Sequence, residues 1–339
     1  MRKIILTDTT LRDGSHSVSH QYSLEEMKEI AKGLENAGID IIELGHGDGL
    51  TGSTINYGFA AHSDIEYIKA VSSVLKKSKL AVLLVPGIGT IEDLQEAKEA
   101  GAEVVRVATH VTEADVGEQH IKAAKKMGLF TVGFLMMSHM VNKEIVLQEA
   151  KKMESYGADV VYLTDSAGAM LPNEVSEKIS YLKENLSIPI GHHAHNNLGV
   201  AVANSLAAYE AGADYLDGSL LGFGAGAGNT PTEMLVAVLD KIGANINVDL
   251  YNIIDAGDDV LAPIIKNKGS KLPRFNSDSL IIGYAGVYSS FMLHAKRAAK
   301  RFDVDIRDVL VELGERNAVG GQEDWIIEVA HELQKNKKE

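Results

Sequence analysis

The chain has 339 residues, 45 % hydrophobic and 24 % charged, with 32 Gly, 6 Pro and no Cys. That length exceeds the ~250 to 300 residues at which one hydrophobic core stops growing, so one large domain with an appendage, or two domains, is expected. The 33 Lys and Arg against 47 Asp and Glu give a net charge of -14, which argues against nucleic acid or an anionic membrane as partner, while the absence of cysteine excludes disulfides, thiolate metal sites and a cysteine nucleophile.

The start, Met1-Arg2-Lys3-Ile4-Ile5-Leu6, has too short an apolar run for a signal peptide. No stretch approaches the roughly 20 apolar residues of a membrane span, and a cytoplasmic location is expected. The first strand is predicted at Lys3 to Thr7. Thereafter a junction recurs in which a helix ends at glycine and an apolar run follows: Gly38 before Ile41 to Leu44, Gly101 before Val104 to Val107, Gly128 before Leu129 to Val132, Gly157 before Val160 to Leu163, and Gly212 before Tyr215 to Ser219. Glycine suits a helix end because the closing residue commonly adopts the left-handed conformation. The glycines are spaced 63, 27, 29 and 55 residues apart, and each long gap holds one more strand, Leu80 to Val85 and Pro189 to His193. Eight βα units of about 30 residues predict an α/β fold, a TIM (β/α)8 barrel over 1–242, closed by a helix near Thr230 to Ile242. An open doubly wound sheet is the alternative. Residues 243–339 lack this rhythm and predict a helical C-terminal extension packed on the barrel. Its helices are expected at Asp249 to Lys266 and Asp278 to Arg301, with a frayed charged tail from Lys335 to Glu339.

In such a barrel the chemistry sits at the carboxyl ends of the strands. After the first strand come Arg12, Asp13 and His16; after the second, Glu43 and His46; after the sixth, Asp165 and Ser166; after the seventh, His193 and His195. His193 and His195 stand at i, i+2, so both imidazoles point the same way and can share a cation, with Asp13 as the carboxylate ligand. This mixed N/O set suits Mn²⁺, Mg²⁺, Co²⁺ or Zn²⁺. Arg12 reads either as a surface ion pair or as a fixed charge facing a substrate oxygen that becomes negative. His16 reads as a solvated histidine or, beside a metal carboxylate, as a general base. The loop Gly222 to Asn229 reads equally as a phosphate cradle and as a tight turn with close backbone packing. A catalytically silent scaffold is disfavoured by so many titratable groups on one rim.

Thr10-Leu11-Arg12-Asp13-Gly14, His193-Ala194-His195-Asn196 and the loop ending Gly228-Asn229 resemble the metal-dependent pyruvate lyase and synthase superfamily, which includes hydroxymethylglutaryl-CoA lyase and isopropylmalate synthase. Gly283 to Phe291, Val311 to Gly314 and Val319 to Asp324 narrow the likeness, nearly end to end, to the 4-hydroxy-2-oxovalerate aldolase family. The resemblance implies cleavage of 4-hydroxy-2-oxopentanoate to pyruvate and acetaldehyde, late in the meta-cleavage route of aromatic catabolism. It implies Mn²⁺, with Mg²⁺ or Co²⁺ as options, on Asp13, His193 and His195. Arg12 would stabilise the enolate oxygen and His16 would take the 4-hydroxyl proton. Ser166 would help hold the substrate carboxylate, Tyr284 would line the aldehyde side, and Leu83 to Pro86 would shape the room for the alkyl group. The partner implied is an acylating acetaldehyde dehydrogenase, docked through the C-terminal extension in a heterotetramer with two subunits of each kind. The loop from Gly222 carries no Cys, which argues against the CoA-ester lyase branch. No Lys stands at an inner strand end, which argues against a Schiff-base aldolase. A Claisen-type synthase joining an acyl-CoA to a 2-oxo acid on the same metal site is the competing reading.

Overall fold

In a computed structural model that describes residues 2–337, eight parallel strands close into a barrel in chain order. They are β1 Ile5–Leu11, β2 Ile41–Leu44, β3 Lys79–Leu84, β4 Val104–His110, β5 Phe130–Met136, β6 Val160–Asp165, β7 Ile190–Ala194 and β8 Tyr215–Gly218. Around them lie α1 Leu24–Ala37, α2 Asp64–Ser72, α3 Ile91–Ala100, α4 Glu118–Lys126, α5 Lys143–Tyr156, α6 Pro172–Asn185, α7 Ala201–Ala211 and α8 Thr232–Lys241. The TIM barrel expected from the glycine junctions is therefore present. All five glycines have positive φ, from 78° at Gly128 to 125° at Gly101, a region that L side chains disfavour. At the other end of the helices, Ser23, Ser63 and Thr90 cap α1, α2 and α3 in reciprocal bonds with Glu26, Glu66 and Asp93, each cap being worth about 1 kcal/mol.

The main core lies between strands and helices and includes Leu6, Ile42, Leu84, Val105, Leu163 and Leu216. Burying such a side chain contributes roughly 1.5–3 kcal/mol. A second layer fills the barrel interior with Ile41, Leu83, Val132, Phe134 and Tyr162. Gly191 faces the Tyr162 ring, where an added Cβ would come within 2.3 Å. β1 runs four residues past the expected Thr7 end. Asp8, Thr9 and Thr10, beyond that end, read as a polar loop, yet all are buried. Their polar atoms find partners inside: Thr232 Oγ1 donates to Asp8 Oδ2 at 2.7 Å, the Leu220 amide to Thr10 Oγ1 at 2.8 Å, and Asn229 Nδ2 to Thr9 Oγ1 at 3.2 Å. The longer strand delivers Arg12 and Asp13 directly to the barrel mouth.

After the barrel come α9 Leu250–Asp255, a wide turn at Ala256–Leu261, and α10 Ala262–Asn267. The wide turn precedes Pro263, which offers no N–H to a regular helix. Ile253, Leu261 and Ile265 join the barrel core. The remaining helices, α11 Ser277–Ala285, α12 Phe291–Phe302, α13 Ile306–Glu315 and α14 Asp324–Asn336, surround a separate core of Ile282, Val287, Phe291, Leu310, Leu313 and Val329. The single helix expected from Asp278 to Arg301 is thus two. Gly286 closes α11 at φ 66°, its amide donating to the Ile282 carbonyl, so Tyr284 in α11 and Phe291 at the start of α12 belong to different helices. The tail expected to fray remains helical through Asn336, and Lys338 and Glu339 lie outside the described residues. Among the described residues no helix is long and apolar enough to cross a membrane.

Candidate metal centre and active site

At the barrel mouth a tight 3-10 turn, Asp13–Val18, follows β1, and β7 presents His193 with His195 just beyond it. The Nε2 atoms of both imidazoles lie 3.6 Å from Asp13 Oδ2. That spacing is longer than a hydrogen bond, and the three ligand atoms lie within 4.8 Å of one another. His193 Nδ1–H donates to Asp217 Oδ2 at 2.8 Å, which fixes the tautomer and turns the Nε2 lone pair towards Asp13. The expected trio therefore converges, and its donors fit a divalent cation.

Beneath the trio is a buried layer of charge. Arg12 donates through Nε to Glu43 Oε2 at 2.8 Å and through Nη1 to Asp13 Oδ2 at 3.1 Å. Arg106 donates through Nη1 to the same Glu43 oxygen at 3.0 Å and pairs with Asp217. Its guanidinium lies against the rings of Phe134 and Tyr162, 4.4 and 4.7 Å from their centroids. Two guanidinium groups against the carboxylates of Asp13, Glu43 and Asp217 leave the layer at about -1, so a divalent cation would leave it able to accept an anionic substrate. Burial opposes ionisation of Asp13, but Arg12 and the two imidazoles hold its carboxyl well below the usual range. Burial likewise opposes ionisation of Asp217, and Arg106 with His193 holds it low. His195 is pushed down to about 4 by burial.

The other expected residues each have their own surroundings. His16 is three residues beyond Asp13 in the 3-10 turn, on the same face. Its ring covers Gly47, where a Cβ would come within 2.4 Å of Nε2. Ser166 follows β6, and its Oγ accepts the Met137 amide at 3.0 Å. The neighbouring Asp165 carboxylate accepts the amides of Ala169 and Met170, both at 2.9 Å. Tyr284, on α11, is 73 % exposed, and its hydroxyl makes no hydrogen bond among the described residues. The glycine beside it, Gly283, packs on Asn197, Leu198 and Gly168 at the barrel mouth.

The glycine-rich loop is a close-packed turn with most of its amides committed. Ala225 donates to Asp13 Oδ1 at 3.1 Å and Ala227 to Asn197 Oδ1 at 2.8 Å. Gly228, at φ 87°, passes so close to the Gly222 carbonyl that a Cβ would stand 1.9 Å from its oxygen. Arg106 and Asp217 were not among the sequence candidates. Each is a lone charge inside a buried apolar strand, Val104-Val105-Arg106-Val107 and Tyr215-Leu216-Asp217-Gly218. Opposite charges on inward positions of two strands are the signal that could have found them.

A (β/α)8 barrel that gathers two histidines, a carboxylate and a fixed guanidinium at its mouth has the equipment of a metal-assisted lyase or synthase working beside a carbonyl. The HMGL-like family matches residues 3–260 and the DmpG-like communication domain matches residues 273–335. The chain is 59 % identical over 339 residues to the 4-hydroxy-2-oxovalerate aldolase of Carboxydothermus hydrogenoformans, covering 100 % of this chain and 99 % of that one. It is 58 % identical over 335 residues to the enzyme of the same name from Pelotomaculum thermopropionicum, covering 99 % and 97 %. Among solved structures, the carboxyl transferase domain of Rhizobium etli pyruvate carboxylase with pyruvate aligns at a TM-score of 0.79 and 17 % identity, over 99 % of this chain and 61 % of that one, a likeness of fold. The chain belongs to the 4-hydroxy-2-oxovalerate aldolase family of HMGL-like carbon-carbon lyases.

Proposed function

We propose that the chain is a divalent-metal-dependent aldolase that cleaves 4-hydroxy-2-oxopentanoate to pyruvate and acetaldehyde, as in the meta-cleavage route of aromatic catabolism. The observation that carries this reading is the convergence of the His193 and His195 Nε2 atoms on Asp13 Oδ2, with Arg12 Nη1 on the same oxygen. Asp13, His193 and His195 would hold the ion, Mn²⁺ before Mg²⁺ or Co²⁺. When bound, that ion supplies a Lewis acid beside the 2-oxo acid group.

The residues of the chain divide the remaining work. His16 accepts the proton of the 4-hydroxyl; as the C3–C4 bond breaks, C4 becomes the aldehyde carbonyl and the bonding pair passes through C3 to the C2 oxygen. Arg12 faces that oxygen. Its Nε and Nη1 are tied to Glu43 and Asp13, and its Nη2, without a hydrogen bond among the described residues, is free to donate to the growing charge. Ser166 contributes to holding the substrate carboxylate. Tyr284 and the Leu83 to Pro86 segment bound the aldehyde side. C3 then takes a proton to become the methyl of pyruvate.

The barrel over 1–242 would carry the chemistry, with the extension over 243–339 completing the active site and docking a partner. The match of 273–335 to a communication domain supports docking of a partner, which we take to be an acylating acetaldehyde dehydrogenase; we take the assembly to be a heterotetramer with two subunits of each kind, working in the cytoplasm. A volatile, reactive aldehyde gives a chemical reason for direct transfer. Incubation with pyruvate plus acetaldehyde, against acetyl-CoA plus a 2-oxo acid, tests the reaction. Consumption of the first pair is expected, and consumption of the second alone would establish the Claisen-type synthase instead.

A further inference from the structure

For the cleavage proposed above, the two ends of the substrate meet side chains from bodies with separate cores: Ser166, which follows β6 of the barrel, and Tyr284, on α11 of the extension. A short 3-10 turn between β5 and α5, Ser138–Met140, touches both regions. Met137, which opens it, is a buried non-glycine residue in the left-handed region at φ 57°, a conformation that persists only where the surroundings impose it. The barrel supplies those surroundings. The Met137 amide donates to Ser166 Oγ at 3.0 Å, the Thr164 amide to Ser138 Oγ at 3.4 Å, and Lys178 Nζ to the Ser138 and Val141 carbonyls at 2.7 and 2.6 Å.

His139 joins this turn to the extension. Its Nε2 lies 3.0 Å from the Gly286 carbonyl oxygen, and because a carbonyl only accepts, that nitrogen carries the proton. Gly286 ends α11 two residues after Tyr284, and a Cβ there would come within 2.9 Å of the same Nε2. One turn earlier Gly283 lies so close to the barrel mouth that a Cβ would stand 2.9 Å from Asn197 Cβ and 3.1 Å from the Gly168 carbonyl oxygen. Tyr284 sits between these two contacts. The other ring nitrogen of His139, Nδ1, is buried, makes no hydrogen bond among the described residues and stands 3.9 Å from Asp165 Oδ1. The bond to Gly286 is therefore what orients the ring.

We propose that His139 is a positioning residue: by bonding Gly286 from a turn that also bonds Ser166, it holds Ser166 and Tyr284 in one frame and sets the fit of both the 2-oxo acid and the aldehyde. This role rests on the aldolase reading of the site. His139 touches no reacting atom. Its loss should spare the chemistry at Arg12 and the metal ligands, raise the substrate concentration required, and alter the choice of aldehyde. A misplacement of ~1 Å at a binding group can cost about 10²-fold in rate, so effects of this kind are large enough to measure.

The test compares three variants of the full, Mn²⁺-loaded chain. His139→Leu keeps bulk but cannot donate, His139→Gln places an amide nitrogen where it can reach the same carbonyl, and Gly286→Ala crowds the ring from the other side. Deuterium entry at the pyruvate methyl is followed by NMR against pyruvate concentration, and condensation of pyruvate with acetaldehyde or butanal gives the aldehyde preference. In His139→Leu the half-saturating pyruvate concentration should rise at least about tenfold and the acetaldehyde-to-butanal ratio of kcat/KM should change at least about fivefold, while exchange at saturating pyruvate stays within about twofold. Gly286→Ala should shift the same quantities, which keeps the test open if His139→Leu does not fold, and His139→Gln should restore them. Amide hydrogen exchange read by mass spectrometry without substrate reports the frame itself: residues 137–141 and 283–287 should both exchange faster in His139→Leu and Gly286→Ala, and not in His139→Gln. Unchanged half-saturation and aldehyde ratio in both disrupting variants, or equal loss in folded His139→Leu and His139→Gln, would overturn the role. A parent chain that fails to condense pyruvate with acetaldehyde would overturn the aldolase reading instead, and amide exchange at the two segments would still decide whether His139 holds the frame.

Discussion

Asp217 is not itself a ligand, yet removing its charge should loosen the metal. In Asp217→Asn the His193 Nδ1–H loses the carboxylate that holds it at 2.8 Å, and Arg106 keeps only Glu43, at 3.0 Å. The buried layer rises from about -1 to neutral, which disfavours a second positive charge, and His193 loses the partner that fixes its tautomer. Loss of such a supporting carboxylate costs roughly 10- to 100-fold in metal affinity, or about 1.4–2.7 kcal/mol. Stability should fall by less than the ~3–5 kcal/mol of a fully broken buried pair, because Arg106 retains one carboxylate. Calorimetric titration of metal-stripped protein with Mn²⁺ measures the affinity, and thermal unfolding followed by circular dichroism shows whether the variant is folded. A folded Asp217→Asn protein that binds Mn²⁺ as tightly as the parent would refute the role given to Asp217.

Arg12→Ala should abolish both aldol cleavage and proton exchange at the pyruvate methyl, since both develop charge on the C2 oxygen, whereas His16→Ala should depress cleavage far more than exchange; deuterium incorporation by NMR separates the two, and equal loss in His16→Ala would contradict its assignment. Gly228→Ala should lower turnover at least about tenfold, because the methyl has no room beside the Gly222 carbonyl and the loop must release Asp13; unchanged turnover would contradict that coupling. Glu233 is held protonated by burial up to about pH 7, against an ordinary 4.5, so the folded chain binds an extra proton between these values and loses stability as the pH rises through them. Glu233→Gln should remove that penalty, and its stability advantage in urea unfolding should grow by about 1–3 kcal/mol from pH 5 to pH 8; a constant difference across this range would count against it.

The parts of the fold with a strong local signal were legible from the chain. Glycine at a helix end followed by a β-rich run has one common structural solution, and its recurrence located the barrel. The i, i+2 histidines and the Arg12-Asp13 pair were legible for a similar reason, because a strand end fixes which way alternate side chains point. What was not legible depended on distant partners. Asp8 to Thr10 look like loop until Thr232, Leu220 and Asn229, more than 200 residues away, satisfy them. Arg106 and Asp217 are each anomalous alone and make sense only as a pair across the barrel. The break at Gly286 was hidden by the apolar residues on both sides of it, which suggested one helix where the separate core of the extension needs two.

The account depends above all on cleavage requiring the ion held by Asp13, His193 and His195. The most direct measurement is turnover of 4-hydroxy-2-oxopentanoate by one preparation before and after chelation, with metal content determined by elemental analysis at each stage. Turnover should vanish with the metal, return on adding Mn²⁺ or Co²⁺, and fail to return in His193→Ala. Full turnover by protein shown to be metal-free would contradict the account.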